Sequence, residues 1–134
     1  MPFTAEDRAA VTELVVMHGH LVDAGELGRM HELFTEDVTY DVTDLGGGTV
    51  VGLETLLEVA LTTGERNPVG HHVTNVVVTE AGEDRARVLS KGIGVMADGT
   101  CGSVTYEDTV SRGAQGWRIS HRRVIARRAP LGAG

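Results

Sequence analysis

The chain has 134 residues, of which 41% are hydrophobic and 23% charged, and this balance predicts one folded domain rather than a disordered segment. Its formal net charge of −7 disfavours a nucleic-acid partner, because nucleic-acid binding usually leaves a basic footprint. The single cysteine, Cys101, rules out an internal disulfide, and no apolar run reaches the ~18 residues of a membrane span. The N-terminus also lacks the basic start and apolar core of a signal peptide, so we expect a cytoplasmic protein without a membrane partner.

Four arginines lie close together near the C-terminus, at Arg122, Arg123, Arg127 and Arg128. On a last strand, such a group is typical of a solvated face or of a contact between subunits. We therefore expect a homo-oligomer, either a dimer or a trimer.

The first half of the chain carries helical patterns. Thr4, followed by Asp7, is typical of an N-cap with an acidic first turn, and Gly25 suits the end of the helix that follows. Residues 38–43 alternate between apolar and polar and predict a strand. The three predicted helices cover residues 5–24, 27–34 and 53–63.

The second half of the chain is divided by turn signals, among which Asp98-Gly99 is the strongest. The strands predicted between these turns cover residues 71–79, 85–97, 101–112 and 116–127. Helices followed by an antiparallel meander favour an α+β fold, with a curved antiparallel sheet wrapped around the three helices. We expect one domain over residues 1–134, with a loose start at Met1-Pro2 and a loose tail over 128–134.

Glycines on two neighbouring strands indicate where a pocket could lie. Gly92 and Gly94 share one strand face with Met96, and Gly102 shares the facing part of the next strand with Tyr106. Glycines there leave room for a small ligand, or they permit the bends that curve the sheet. Both interpretations stay open at this point.

A carboxylate and several histidines are the candidate catalytic groups. Asp23 stands in the last turn of the first helix, where the helix dipole disfavours an anion, so a partner cation is expected. His18 lies just over one turn earlier, while His71 and His72 open a strand and point to opposite faces. A carboxylate beside a histidine fixes the tautomer of the imidazole and raises its basicity, which suits a general base.

Structural explanations compete with this catalytic one. Asp23 could cap the end of the helix, and either histidine could be a hydrogen-bonded strand residue. The adjacent His71 and His72 cannot bind one ion from a regular strand, and other ligand spacings are lacking, so no metal is expected. Tyr40, Tyr106 and Asp108 are candidates for ligand contact, with core packing as the alternative for the tyrosines.

Several segments in order resemble one family. They are the helix ending in Leu21-Val22-Asp23, the run from Leu33 to Asp41, His71-His72-Val73-Thr74-Asn75, Tyr106-Glu107-Asp108 and Gly116-Trp117-Arg118-Ile119. This pattern resembles the SnoaL-like branch of the NTF2-like superfamily, which includes proteins similar to scytalone dehydratase, bile-acid 7α-dehydratase and hexachlorocyclohexane dehydrochlorinase.

The resemblance implies a cone-shaped α+β barrel, no cofactor, and a histidine–aspartate dyad that removes a proton as a leaving group departs. The dyad falls on Asp23 and on His71 rather than His72. A polar pocket position falls on His18, and aromatic positions fall on Tyr40 and Tyr106. The arginine that some relatives carry late in the last strand has no secure match here, although Arg122 and Arg123 lie near it.

Two hypotheses follow. The first is a cofactor-independent lyase, isomerase or cyclase that acts on a small hydrophobic substrate of polyketide or steroid type, with Asp23 and His71 as catalytic residues. His18, Tyr40, Gly92, Gly94, Tyr106 and Asp108 would then contact the substrate. The second is a non-catalytic protein that binds a small ligand or serves as an assembly scaffold.

Overall fold

The computed structural model describes residues 2–132 and begins with a well-capped helix. The Thr4 hydroxyl accepts a hydrogen bond from the Asp7 backbone N–H at 3.1 Å, and the Asp7 carboxylate accepts one from the Thr4 backbone N–H at 2.9 Å. This reciprocal arrangement satisfies two backbone donors that the first helical turn would otherwise leave unpaired. The N-cap predicted at Thr4 is therefore confirmed.

Two helices and six strands follow the predicted order closely. The helices are α1 at Ala5–Asp23 and α2 at Leu53–Thr63. The strands are β1 at Phe34–Asp41, β2 at Thr49–Val51, β3 at Gly70–Ala81, β4 at Arg85–Val95, β5 at Cys101–Gly113 and β6 at Gly116–Arg127. No helix in this described part of the chain is both long and apolar enough to cross a membrane.

The region between α1 and α2 differs from the prediction in three ways. The second helix is a 3₁₀ segment over Leu27–Glu32, the first strand begins at Phe34 instead of 38, and β2 was not predicted. The reason lies in tertiary pairing, because Phe34 pairs with Ile119 of β6 and Tyr40 pairs with Val50 of β2. Such partners are invisible to a local pattern.

The six strands form one curved sheet in the order β2-β1-β6-β5-β4-β3. β1 runs parallel to β6, whereas the other four pairings among the described residues are antiparallel, so the prediction of a wholly antiparallel sheet is wrong at this pair. The long excursion from β1 to β6 through α2 and four strands permits a parallel return. The mixed α+β fold itself is confirmed.

The middle of β3 is irregular in a way that bends the strand. Its register with β4 shifts between Thr74 and Val77, and Asn75 between them has a φ of +56°. Asparagine tolerates this left-handed conformation better than most residues, and an extra residue in one strand increases local twist. The bend lies a few residues beyond His71, where β3 passes α1.

The core fills the space between α1 and the inner face of the sheet. Val11 and Val15 of α1, Val38 of β1 and Ile119 of β6 are fully buried there. Burying each such side chain contributes about 1.5–3 kcal/mol. The buried face of α1 extends through His18 to Leu21, whereas the Asp23 side chain at the end of the helix stays 30% exposed.

The chain termini are described only in part. Met1 and residues 133–134 lie outside the described residues. The predictions of a loose first residue and of a loose end of the tail fall on those residues. Arg128, the first residue of the predicted tail, donates a hydrogen bond to the Asp44 carbonyl at 2.9 Å. A short 3₁₀ segment, Pro130–Gly132, follows it.

Candidate active site

His71 and Asp23 are in direct contact although 48 positions separate them in the chain. Nδ1 of His71 lies 2.7 Å from Oδ1 of Asp23, and the His71 backbone N–H donates to both carboxylate oxygens, at 3.1 and 2.9 Å. When Nδ1 donates to the carboxylate, Nε2 is the ring nitrogen that keeps a lone pair. The side chains of His71 and Asp23 are 16% and 30% exposed, so the pair is sheltered but accessible.

A glycine near the C-terminal end of α1 allows this contact. Gly19 is buried, and a Cβ added to it would collide with the backbone carbonyl oxygen of His71. Glycine inside a helix costs about 1 kcal/mol relative to alanine. Here that cost is offset by the close approach of β3, which places His71 beside the last turn of the helix.

The position of Asp23 also becomes clear from its hydrogen bonds. As the last residue of α1 it stands at the negative end of the helix dipole, where an anion is disfavoured. The backbone N–H and the ring N–H of His71 compensate by directing two donors at the carboxylate. The carboxylate in turn fixes the orientation of the imidazole.

A mostly apolar cavity of about 390 Å³, here called the dyad cavity, opens beside His71. Its volume lies within the ~300–1,000 Å³ that is usual for small-molecule sites. Besides His71, six of the residues expected on its wall or on the adjoining strand faces line it, namely His18, Tyr40, Gly94, Met96, Gly102 and Tyr106. Among residues 2–132, no group of three or more His, Cys, Asp or Glu side chains could hold a metal ion.

His18 is a buried polar group in the wall of this cavity. It is 6% exposed, and its Nδ1 has no hydrogen-bond partner in the protein. Burial lowers the pKa of His18 well below its ordinary value, and the nearby Arg122 and His71 lower it further. The ring is therefore neutral near pH 7 and can offer one donor and one acceptor to a ligand.

A buried ion pair lies behind the cavity. Arg122 donates to both Asp108 oxygens, at 2.7 and 2.9 Å, and both side chains are completely buried. Burial alone would lower the pKa of Arg122, but the Asp108 carboxylate and its hydrogen bonds raise it above its ordinary value. The remaining guanidinium nitrogen, Nη1, has no partner in the protein.

Tyr106 separates this ion pair from the dyad cavity. The guanidinium carbon of Arg122 lies 4.4 Å from the centre of the Tyr106 ring, within the range of a cation–π contact. Burial is the main cause that raises the pKa of Tyr106 to about 12. The hydroxyl therefore stays protonated at neutral pH and can act as a hydrogen-bond donor.

Three interpretations from the sequence change with the structure. Gly92 does not line the dyad cavity, because the Tyr106 ring occupies the space that its side chain would need. Asp108 does not line that cavity either, because it is committed to Arg122. Arg122 itself, expected on a solvated face or at a subunit contact, is completely buried on the inner side of the sheet.

Arg122 and Gly19 are the contributors to the site that sequence reasoning missed. Ser120 of β6 is the extra residue of a bulge opposite Thr109 and Val110 of β5, and this bulge changes which of the late arginines face inward. Counting alternate residues forward from Trp117 and Ile119 therefore selects Arg123 and misses Arg122. A glycine inside an otherwise glycine-free helix was the available signal for Gly19.

The model of the SnoaL-like domain family matches residues 4–123. The chain belongs to that family. A comparison of this SnoaL-like domain with curated protein sequences finds no significant match.

Solved structures place the domain in the NTF2-like superfamily. An NTF2-like protein with a cystatin-like fold from Novosphingobium aromaticivorans is 26% identical, with a TM-score of 0.80 over 96% of this chain and 86% of that one. A hexachlorocyclohexane dehydrochlorinase from Novosphingobium barchaimii is 20% identical, with a TM-score of 0.77 over 92% of this chain and 88% of that one. A protein of unknown function from Mycobacterium tuberculosis is 21% identical, with a TM-score of 0.83 over 95% and 80%.

Proposed function

We propose that this SnoaL-like domain is a cofactor-independent lyase in which His71 takes a proton from a small apolar substrate as a leaving group departs. The observation that carries the proposal is the 2.7 Å contact between His71 Nδ1 and Asp23 Oδ1 beside an apolar cavity. A histidine held in this way keeps Nε2 free to accept a proton, which is the requirement for a general base. The dehydrochlorinase name of one structural neighbour supports the reaction class.

In the proposed step, the C–H bond next to the leaving group breaks and its proton moves to His71 Nε2. The electron pair of that bond forms a new C=C bond, and the bond to the leaving group breaks with its electrons. Asp23 stabilises the imidazolium that forms, since its carboxylate already accepts a hydrogen bond from Nδ1. The step needs no oxidant, reductant or co-reactant.

The leaving group requires stabilisation of its developing negative charge. Tyr106 and the neutral His18 both line the cavity, and each carries a group that can donate a hydrogen bond to the leaving group. Arg122 lies behind the Tyr106 ring with its charge paired to Asp108, so its guanidinium adds a local positive field to that of the two donors.

The function can be tested by a substrate screen read by mass spectrometry. Chlorinated and hydroxylated alicyclic compounds, including hexachlorocyclohexane, are incubated with the protein, and loss of HCl or of water is measured. We expect elimination by the unchanged protein, and a fall in kcat/KM of about 10²–10⁴-fold in His71→Gln and in Asp23→Asn. His72→Gln is the matched control, because His72 is an adjacent, exposed histidine and should retain full activity.

Equal rates in His71→Gln and in the unchanged protein would sink the proposed mechanism. If compounds bind tightly but return with unchanged mass, the domain is a ligand-binding protein, as the second hypothesis holds. The cavity then keeps its role while the dyad serves only as a structural contact.

We also propose a cytoplasmic location and self-association. The exposed, free thiol of Cys101 supports a reducing compartment. The outer face of the sheet supports self-association, since Val77, Leu89 and Ile93 expose 54%, 37% and 40% of their surface there.

A further inference from the structure

The apolar face of α2 is incompletely buried. Only Leu53, at the start of the helix, is buried, whereas Leu56, Leu57 and Ala60 are half-buried although they face the interior. An amphipathic helix normally buries its apolar stripe against the core. The stripe of α2 instead borders empty space.

That space is a second cavity of about 170 Å³, here called the α2 cavity. Aliphatic side chains make up most of its wall, including Val22, Leu27, Met30, Leu56, Leu57 and Ala60. Its size is close to that of a 150 Å³ apolar cavity that stays dry and accepts benzene. The α2 cavity is therefore large enough for one six-membered ring or a short alkyl chain.

Away from the boundary with the dyad cavity, two polar side chains at the edge of the α2 cavity, Asn67 and Thr63, already donate hydrogen bonds within the protein. Asn67 Nδ2 donates to the carbonyl oxygens of Ala60 and Gly64, both at 2.9 Å. The Thr63 hydroxyl donates to the Val59 carbonyl at 2.8 Å. Neither side chain needs a polar ligand, so the chemistry of this cavity selects an apolar group.

The α2 cavity adjoins the dyad cavity. His18, Tyr40 and Val42 line both cavities, so these three residues form the boundary between them. Glycines with positive φ flank α2, at Gly52 with +94° and at Gly64 with +53°, and such positions can absorb small movements of the helix. A ligand that passes the boundary would complete the burial of the α2 stripe.

We infer that the substrate is bipartite, with a reactive polar part beside His71 and an apolar substituent of ring or short-chain size in the α2 cavity. This inference rests on the proposed function for the position of the reactive part. The apolar substituent passes between His18 and Tyr40, and its burial against Leu57 and Ala60 supplies binding free energy remote from the reacting atoms. Such binding can be used to orient the reactive part.

Isothermal titration calorimetry with phenol, 4-ethylphenol, 4-propylphenol and 4-pentylphenol tests the inference without turnover. The phenol hydroxyl is a partner for the polar groups of the dyad cavity, and the alkyl group probes the α2 cavity. In the unchanged protein we expect the dissociation constant to fall about fourfold for each methylene that becomes buried.

Two variants should change the gain in affinity per methylene in opposite directions. Ala60→Phe fills the α2 cavity, so the gain per methylene should vanish while phenol binds as before. Leu57→Ala enlarges the α2 cavity, so the gain in affinity per methylene should extend to 4-pentylphenol and beyond. This second variant keeps the test valid if Ala60→Phe fails to fold. Leu61→Phe is the matched control, because Leu61 lies on the same helix, is 69% exposed and lines neither cavity.

The inference is overturned if no phenol binds, if the series shows no gain per methylene, or if Ala60→Phe keeps the same gain as Leu61→Phe. The Asp23→Asn variant separates this result from the proposed function. It should keep the alkyl increment even though it loses turnover, since its substitution lies outside the α2 cavity. If the unchanged protein shows the gain in affinity per methylene but turns over no substrate, the proposed function is removed and the apolar subsite remains.

Discussion

At the scale of single residues, the two histidines of the dyad cavity differ in what surrounds them. His71 is held by a carboxylate through Nδ1, whereas His18 is buried with an unpartnered Nδ1. A charged imidazolium can be stabilised beside Asp23 but is costly at His18, near the Arg122 cation. This contrast supports the proposed division of roles, with proton transfer at His71 and neutral hydrogen bonding at His18.

The buried His18 makes stability dependent on pH. Its folded-state pKa lies below the value of 6.5 that applies to the unfolded chain, so the unfolded state binds more protons as the pH falls. The contribution of the neutral His18 to the free energy of unfolding is therefore complete above about pH 6.5 and is lost as the pH falls toward the folded-state pKa. In His18→Leu, we therefore expect the free energy of unfolding, measured in urea, to fall less steeply between pH 7 and pH 5.

His20→Leu serves as the control for this prediction, because His20 is an exposed histidine on the same helix. The slope of stability against pH should be unchanged in that variant. Identical slopes in His18→Leu and the unchanged protein would show that His18 titrates alike in both states.

The ion pair of Asp108 and Arg122 gives a second prediction at this scale. Asp108→Leu leaves the Arg122 cation buried without its partner, which should lower the free energy of unfolding by about 3–5 kcal/mol. The double variant Asp108→Leu with Arg122→Met should regain most of that loss, because no unpaired charge then remains. Glu107→Ala, which breaks the exposed pair with Arg123, should cost at most about 1 kcal/mol.

Urea unfolding of these three variants measures the differences. An Asp108→Leu variant no less stable than Glu107→Ala would contradict the account of Arg122 as a buried, paired cation.

At the scale of secondary structure, the site depends on how closely α1 and β3 approach each other. In Gly19→Ala, the added Cβ would collide with the His71 carbonyl oxygen, so helix and strand must separate. We expect a loss of about 1–3 kcal/mol in stability and, because a displacement of about 1 Å can cost ~10²-fold in rate, a marked loss of turnover. Thermal unfolding and kcat/KM are the measurements.

Gly28→Ala is the control for the close approach, because nothing lies within 4 Å of the position of its Cβ and its φ is ordinary for an L residue. Full activity and stability in Gly19→Ala would mean that the glycine does not position the dyad.

Local patterns in the sequence were sufficient to predict most elements, and the reasons are visible in the structure. The Thr4 cap and the turn at Asp98-Gly99 depend on neighbours in the chain, and both occur as expected. The start of β1 at Phe34 and the three-residue strand β2 depend instead on partners far along the chain. A pattern of period two gives the faces of a strand but not its neighbours.

The candidate site, too, was predictable from the sequence only in part. The family resemblance selected Asp23 and His71, and these two residues lie in contact. Arg122 could not be selected, because a bulge near the middle of β6 determines which arginine turns inward. Gly92 and Asp108 were expected to contact the substrate, and both predictions failed for a related reason. Only three-dimensional packing shows that the Tyr106 ring fills the space beside Gly92 and that Arg122 pairs with the Asp108 carboxylate.

At the scale of the whole molecule, the curved sheet has one face around the cavities and another face open to solvent. Val77, Leu89 and Ile93 share the outer face and remain exposed, so we predict that two or three copies associate through it. Multi-angle light scattering should give a mass that is a multiple of 14.2 kDa, and Leu89→Glu should lower it. A mass of one chain for the unchanged protein would contradict this prediction.

The central claim is that His71 presents an unprotonated Nε2 to the dyad cavity because Asp23 holds its Nδ1–H. Nitrogen-15 NMR of the ring, at pH 8 and without any ligand, tests this claim most directly and needs no substrate. We predict a protonated Nδ1 and a lone pair on Nε2, with a shift of the tautomer equilibrium in Asp23→Asn. A ring protonated at Nε2 in the unchanged protein would contradict the claim, because that nitrogen could not then accept the substrate proton.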